Sequence, residues 1–273
     1  MYSFRNDYSE GAHPKVLKAL TETNLEQTQG YGLDPRCQKA ADLIRALCAT
    51  PDADVHFLVG GTQANLLTIE ALTKPYEAVI AAHTGHIHVH ETGAVEATGR
   101  KVLTVPSPDG KLTPAMVESV SELHSNEHQV KPAMAYVSNT TETGTVYSKA
   151  ELTALRQCCD QHGLLLFLDG ARLGSALACG DMTLPDYAAL ADVFYIGGTK
   201  NGALFGEALV FAKPRPDFRW HMKRRGAMFA KGRLLGVQFQ ALLEDGTYLE
   251  AARHANALAL RLRDGVAALG YPL

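Results

Sequence analysis

Seven short apolar runs, separated by longer amphipathic stretches, constrain the fold of this 273-residue chain more than any other feature. They lie at 55–59, 78–82, 102–105, 133–138, 164–168, 193–196 and 208–212. Each has the length of a strand and falls far short of the ~20 apolar residues that a membrane-spanning helix needs. They read as nearly continuous hydrophobic runs, which is the pattern of strands covered on both faces. Between them, helical periodicity marks Pro14–Glu22, 35–49, 63–72, Pro114–Leu123, Lys149–His162 and 249–269. The stretch from Ser148 to Glu151 carries a capping box, in which serine and glutamate satisfy each other's free backbone donors. This alternation predicts an α/β fold, a mostly parallel sheet flanked by helices.

The charge balance narrows the class of function. A formal net charge of -3 gives no global pull toward nucleic acid or an anionic membrane, so neither is expected as a partner. The basic cluster Lys223-Arg224-Arg225 reads as a solvated face or a phosphate contact. The cysteines, Cys37, Cys48, Cys158, Cys159 and Cys179, are odd in number and fit no metal-knuckle spacing. They predict a reduced, cytoplasmic protein with no metal site. The first residues have no apolar signal core. Near the other end, the 249–269 helix sets Leu258, Leu262, Val266 and Leu269 along one stripe, and Gly270-Tyr271-Pro272-Leu273 follows like a turn into another strand. The expected organisation is an N-terminal arm at 1–25, a large ligand-binding domain at 26–245, and the beginning of a truncated C-terminal small domain at 246–273.

Two strand ends carry chemistry. The run 164–168 is followed by Asp169-Gly170-Ala171-Arg172, and the run 193–196 by Gly197-Gly198-Thr199-Lys200. Taken singly, Asp169 is compatible with a turn or N-cap residue, and Lys200 with a surface lysine. Together they place an acid and an amine at the carboxyl edge of one sheet, where α/β proteins bind ligands. Pyridoxal phosphate requires that pair: a lysine to form the Schiff base, and an acid beside the pyridine nitrogen to keep the ring an electron sink. A third strand end, Gly60-Gly61-Thr62, opens a helix whose free N–H groups and dipole suit a phosphate. The histidines His83, His86, His88 and His90 form a cluster. His86 and His90 are four apart, the spacing of a shared helix face, but the neighbouring residues complete no metal set. A flat imidazole stacked on the pyridine ring fits better.

These motifs resemble the threonine aldolases, within the β-eliminating lyase family of pyridoxal-phosphate enzymes with the aspartate-aminotransferase fold. The resemblance runs from about Phe4 to the chain end. It rests on Tyr31-Gly32-Leu33-Asp34-Pro35, Gly61-Thr62-Gln63-Ala64-Asn65, His86 with Glu91-Thr92-Gly93-Ala94, Asp169-Gly170-Ala171-Arg172-Leu173, and Thr199-Lys200. It implies a catalytic set of Lys200, His86, His128 and Asp169. Lys200 would hold the cofactor, Asp169 its ring nitrogen, Gly61 and Thr62 its phosphate, and His86 would stack on the ring. Arg172 would bind the substrate carboxylate, with Asn6 and Tyr31 as further substrate contacts, and His128 would serve as an acid–base partner. The resemblance also implies a homodimer or homotetramer, with Tyr31 and the 223–233 stretch reaching a neighbouring subunit's site. Three departures stand out. Asn6 precedes Asp7 where the family has serine, Asn139-Thr140-Thr141 stands for an Asn-Thr-His segment, and Thr199 precedes the lysine where serine is commoner. The implied activity is cleavage of a β-hydroxy-α-amino acid such as threonine to glycine and an aldehyde. The alternatives are β-elimination on another amino acid, or a truncated and inactive chain.

Overall fold

The computed structural model of the chain describes residues 3–271. Pro272 and Leu273, half of the expected turn into a new strand, lie outside the described residues. The seven apolar runs form the strands β1 (Asp54–Leu58), β2 (Glu77–Ala82), β3 (Lys101–Val105), β4 (Lys131–Ser138), β5 (Leu165–Asp169), β6 (Val193–Gly197) and β7 (Glu207–Phe211). They make one sheet in the order β1-β7-β6-β5-β4-β2-β3. Only β7 runs against its neighbours, β1 and β6; the other pairings are parallel. The expected α/β architecture is therefore present.

The helices follow in chain order as α1 (Pro14–Glu22), α2 (Pro35–Leu47), α3 (Gly61–Leu72), α4 (His86–Val89), α5 (Pro114–Leu123), α6 (Lys149–His162), α7 (Leu173–Cys179), α8 (Leu184–Leu190), α9 (Phe218–Arg224), α10 (Arg233–Leu243) and α11 (Thr247–Ala268). None among the described residues is long and apolar enough to cross a membrane. They cover the sheet from both sides, which is why its strands lack polar alternation. In β4, Ala135 and Val137 join the layer of Ile44, Leu155 and Phe239, while Met134 and Tyr136 join the layer of Leu67, Ile87 and Phe218. β6 divides likewise, with Phe194 and Ile196 on one face and Val193 and Tyr195 on the other. Each such large side chain contributes about 1.5–3 kcal/mol by leaving water.

Local signals account for several boundaries. The α6 capping box forms as expected: Ser148 Oγ accepts from Glu151 N, and Ser148 N donates to Glu151 Oε2 at 2.7 Å. Helices α4, α7, α8, α9 and α10 went unpredicted. α10 is buried along most of its length, including Gly236 and Gln238, and opens at Gly232 with no side-chain cap to mark its start. Gly236 is required there, since a Cβ would stand 2.5 Å from the Cys37 backbone. The N-terminal segment is only partly an arm. α1 buries Val16 in the core, and His13 N donates to Gly202 O at 2.8 Å, so 3–12 alone precede the docked chain. α11 starts inside, with Tyr248 and Ala252 buried, and its later turns expose Leu258 and Leu262.

The parallel strands β4, β5 and β6 end at the same edge of the sheet, and α3 begins there. The chain thus delivers residues from distant segments to one place.

Candidate active site

A cavity of about 310 Å³ opens at that edge, and Gly61, Thr62, His86, Asp169, Arg172 and Lys200 all line it. Asp169 is the last residue of β5 and is buried. Its Oδ2 accepts from Tyr136 Oη at 2.5 Å and from Asn65 Nδ2 at 3.1 Å, and its Oδ1 accepts from Ala171 N at 2.9 Å. Burial pushes the Tyr136 hydroxyl well above its ordinary range, so it stays a donor. These neutral donors orient the carboxyl toward the place a cationic ring nitrogen would take. The strand end must come close to β6 for this. Gly170 allows it, because a Cβ there would sit 1.8 Å from Tyr195 O.

Lys200 occupies the loop between β6 and β7. That loop is fastened on both sides of the lysine. Gly198 N and Thr199 Oγ1 donate to the two Glu207 oxygens at 3.1 and 2.8 Å, and Asn201 Nδ2 donates to Tyr248 O at 2.7 Å. Glu207 is fully buried, and burial pushes its carboxyl up to about 8. The Lys200 ammonium lies 5.9 Å from the centre of the Tyr8 ring, within cation–π reach.

At the opposite wall, Gly61 and Thr62 form the first residues of α3 and offer its amino end. Close approach again explains the glycine: a Cβ on Gly61 would meet Tyr195 Oη at 3.0 Å. That hydroxyl is buried without a hydrogen-bond partner, as a group reserved for a ligand would be. His86 opens α4, and its Nδ1 pairs with Glu91 Oε1 at 2.8 Å. Glu91 raises the imidazole above its usual value, against burial. Asn65 ties this pair to the acid, since its Nδ2 also donates to Glu91 Oε1 at 2.7 Å. The other clustered histidines do not share the cavity; His83 Nδ1 accepts from Ser107 N instead.

Arg172 follows β5 and pairs with Asp7, Nε to Oδ2 at 2.5 Å and Nη2 to Oδ1 at 3.1 Å. This fork is the geometry in which a guanidinium holds a substrate carboxylate, and Asp7 occupies it. Burial pushes Asp7 up, but Arg172 more than offsets it and leaves the carboxyl below its usual range.

Three expected contacts are not brought here. His128 is exposed in the loop before β4, at the amino edge of the sheet, and its backbone N–H donates to Asn126 Oδ1 at 3.1 Å. Ser138 stands at the far end of that eight-residue strand. Asn6 does not line the cavity; its Oδ1 closes a local turn by accepting from Tyr8 N at 3.1 Å and Ser9 Oγ at 2.8 Å. The neighbouring Asp7 and Tyr8 face the site in its place. Tyr31 lines a separate cavity with Arg219 and Phe229, its ring 4.9 Å from the Lys223 ammonium. Conversely, Asn65, Glu91, Tyr136, Glu142 and Glu207 were not assigned roles from the sequence. Asn65 and Glu91 did stand inside quoted motifs, but nothing local showed that they meet.

The residues present fit pyridoxal phosphate: an amine, a ring-nitrogen acid, an imidazole, a helix amino end and an unpartnered buried hydroxyl surround one cavity. The comparisons with known proteins agree. A family model described as β-eliminating lyase matches residues 4–273. The chain belongs to the β-eliminating lyase family. It is a pyridoxal-phosphate-dependent lyase. The chain is 38% identical over 271 residues to a low-specificity L-threonine aldolase of Pseudomonas sp. (strain NCIMB 10558), covering 97% of this chain and 78% of that protein. It is 36% identical, with the same coverage, to the Pseudomonas aeruginosa protein of that description. A solved Leishmania major threonine aldolase superposes with a TM-score of 0.99 at 52% identity, covering 100% of this chain and 81% of that one. An aspartate aminotransferase of Thermus thermophilus shares the fold alone, with a TM-score of 0.74 at 18% identity.

Proposed function

We propose that this lyase cleaves β-hydroxy-α-amino acids of the threonine type to glycine and an aldehyde. The observation that carries the reading is one cavity joining an amine, a buried acid with every oxygen hydrogen-bonded, and a guanidinium already holding a carboxylate. The aldolases named above, which this chain matches over nearly its whole length, support it. When bound, the cofactor supplies an electron sink for the substrate's Cα. The chain's residues do the rest. Asp169 would pair with the ring nitrogen and favour its protonated form. Gly61 and Thr62 would hold the phosphate at the amino end of α3. His86, held by Glu91, would lie against the ring. Arg172 exchanges Asp7 for the substrate carboxylate, which fixes Cα and sets the bond to be broken. Lys200, the amine of the cavity, would hold the cofactor.

Product analysis tests the proposal. Threonine incubated with the cofactor-loaded protein yields glycine and acetaldehyde in equal amounts. Ammonia and a 2-oxo acid would instead place the chain among the β-eliminating members of its family.

The exposed group of Tyr31, Arg219 and Lys223 supports assembly as a homodimer or homotetramer, with this cationic patch turned to the partner's site. The free cysteines, four of them buried, support a reducing cytoplasmic setting.

A further inference from the structure

The aldol cleavage proposed above needs a base for the substrate's β-hydroxyl. Within one protomer His128 stands at the amino edge of the sheet, away from the cavity. His86 is held by Glu91 through Nδ1 and is assigned above to the face of the cofactor ring. Among the other acids of the cavity, Asp169 has both oxygens engaged, and Glu207 is sealed beneath the lysine loop by Gly198 and Thr199.

Of the carboxylates that line the cavity, one is left. Glu142 lines the cavity together with His86, Arg172 and Lys200. Its Oε1 accepts from Ser138 Oγ at 2.6 Å and from His86 N at 3.0 Å. Apart from a contact of the carboxyl with its own backbone N–H, no hydrogen bond is described at Oε2, and the side chain lines the cavity. The loop that carries it is fixed rather than slack: Thr141 N donates to Thr145 O at 2.9 Å, and Thr143 Oγ1 and Thr145 Oγ1 both donate to Asp109 O, at 2.7 and 2.8 Å. Arg172 lies within the field of Glu142, so the acid faces the same space as the substrate-carboxylate anchor.

We propose that Glu142 is the catalytic base that takes the β-hydroxyl proton of the substrate. The inference rests on the aldolase reading. In the step, the hydroxyl O–H bond breaks and its proton passes to Glu142 Oε2. The freed pair forms the aldehyde C=O, the Cα–Cβ bond breaks, and its pair stays on Cα, which takes a proton from water to give glycine. Glu142 returns its proton to water through the cavity mouth, so the overall reaction gains and loses none. Burial raises the Glu142 carboxyl above its ordinary value, which makes it a better proton acceptor than a solvated glutamate.

The test compares wild type with Glu142→Gln, both loaded with cofactor. The amide keeps an oxygen to accept from Ser138 and His86, so the loop is preserved. Two reactions are read: acetaldehyde release from threonine, which needs the hydroxyl base, and exchange of the glycine α-proton with deuterated water, which does not. The cofactor's absorbance band is recorded alongside. The expected result is a fall in aldehyde release by about 10²-fold or more, with glycine exchange and the absorbance band close to wild type. Wild-type aldehyde release from Glu142→Gln overturns the proposal. Equal falls in both reactions also overturn it, because they assign Glu142 to holding His86 and the loop. Absence of aldehyde from the wild type itself sinks the aldolase reading, and the role of Glu142 with it.

Discussion

The two ends of the cavity are built differently. At the cofactor end, Asp169 is buried and fully hydrogen-bonded, and Asn65 links it to the Glu91–His86 pair. At the substrate end, Arg172 is partly exposed and its partner Asp7 belongs to a segment outside any helix or strand. One end is set before a ligand arrives; the other is held by an ion pair that a ligand must replace. The contrast teaches where specificity can change cheaply. Altering the buried network leaves polar groups unpaired, at a cost of about 1–3 kcal/mol each. Altering a half-exposed ion pair costs about 0–1 kcal/mol.

The largest effect expected is from Lys200→Ala. It removes the only amine among the residues lining the cavity and leaves the loop contacts of Thr199 and Asn201 in place. Turnover and the Schiff-base absorbance are lost together, while the far-ultraviolet circular dichroism remains. A band still reducible by borohydride in this variant would assign the cofactor to another lysine.

Asp169→Asn comes next. It keeps the shape of the buried network and removes its charge, and one of its acceptor oxygens becomes a donor facing other donors. The expected loss in kcat/KM is about 10²-fold or more, several kcal/mol, with cofactor still bound. Near-native turnover would show that the buried end of the cavity does not hold the ring nitrogen.

Much of this was legible in the sequence, and the reasons for the misses are physical. The strands could be read because both their faces are buried, so each shows as an unbroken apolar run. The strand-end residues Asp169, Lys200 and Gly61 followed from them. The partners could not be read. Arg172 and Asp7 are 165 residues apart, and Asn65 and Asp169 are 104 apart, so no local pattern announces either contact. Asn6 was preferred to Asp7 because the family's motif pointed to that position, whereas the turn at Asn6–Ser9 turns its side chain inward on the backbone. His128 was carried over from a family position, and the loop that bears it stands at the amino edge of its own protomer's sheet, a place only the fold reveals. Short helices such as α7 and α8 lack the length for periodicity to register.

Asp7→Asn probes the adjustable end. With the ion pair gone, Arg172 no longer trades one carboxylate for another. KM for threonine then falls by up to about 5-fold, the equivalent of the ~1 kcal/mol of an exposed pair, with kcat little changed. A rise in KM would mean that Asp7 aims Arg172 rather than competing for it.

The smallest effect expected concerns pH. Burial holds the Glu207 carboxyl up to about 8 in the folded protein, against 4.5 for an ordinary glutamate. Between those values the folded state binds a proton that the unfolded state has released, so stability falls as pH rises through this window. In the cofactor-free protein, Tm declines from pH 5 to pH 8, and Glu207→Gln flattens that decline. A Glu207→Gln curve parallel to wild type would show that the carboxyl is ionised throughout.

The single reversed strand has a consequence for which lengths of chain the site tolerates. Because β7 runs against β6, the lysine segment is a hairpin loop closed by the Gly197–Glu207 pair rather than a long crossover. Its first turns are pinned from across the hairpin, since both Gly198 N and Thr199 N donate to Gly206 O, while Leu204 and Phe205 lean only on the Gln238 side chain. Insertions and deletions should therefore be unequal on the two sides of Lys200. One extra residue between Gly197 and Lys200 shifts the amine out of register with Asp169. The same insertion near Leu204 lengthens the far limb and leaves the amine where it was. The reversed strand makes the near limb of this loop a fixed ruler and the far limb a place where length can vary.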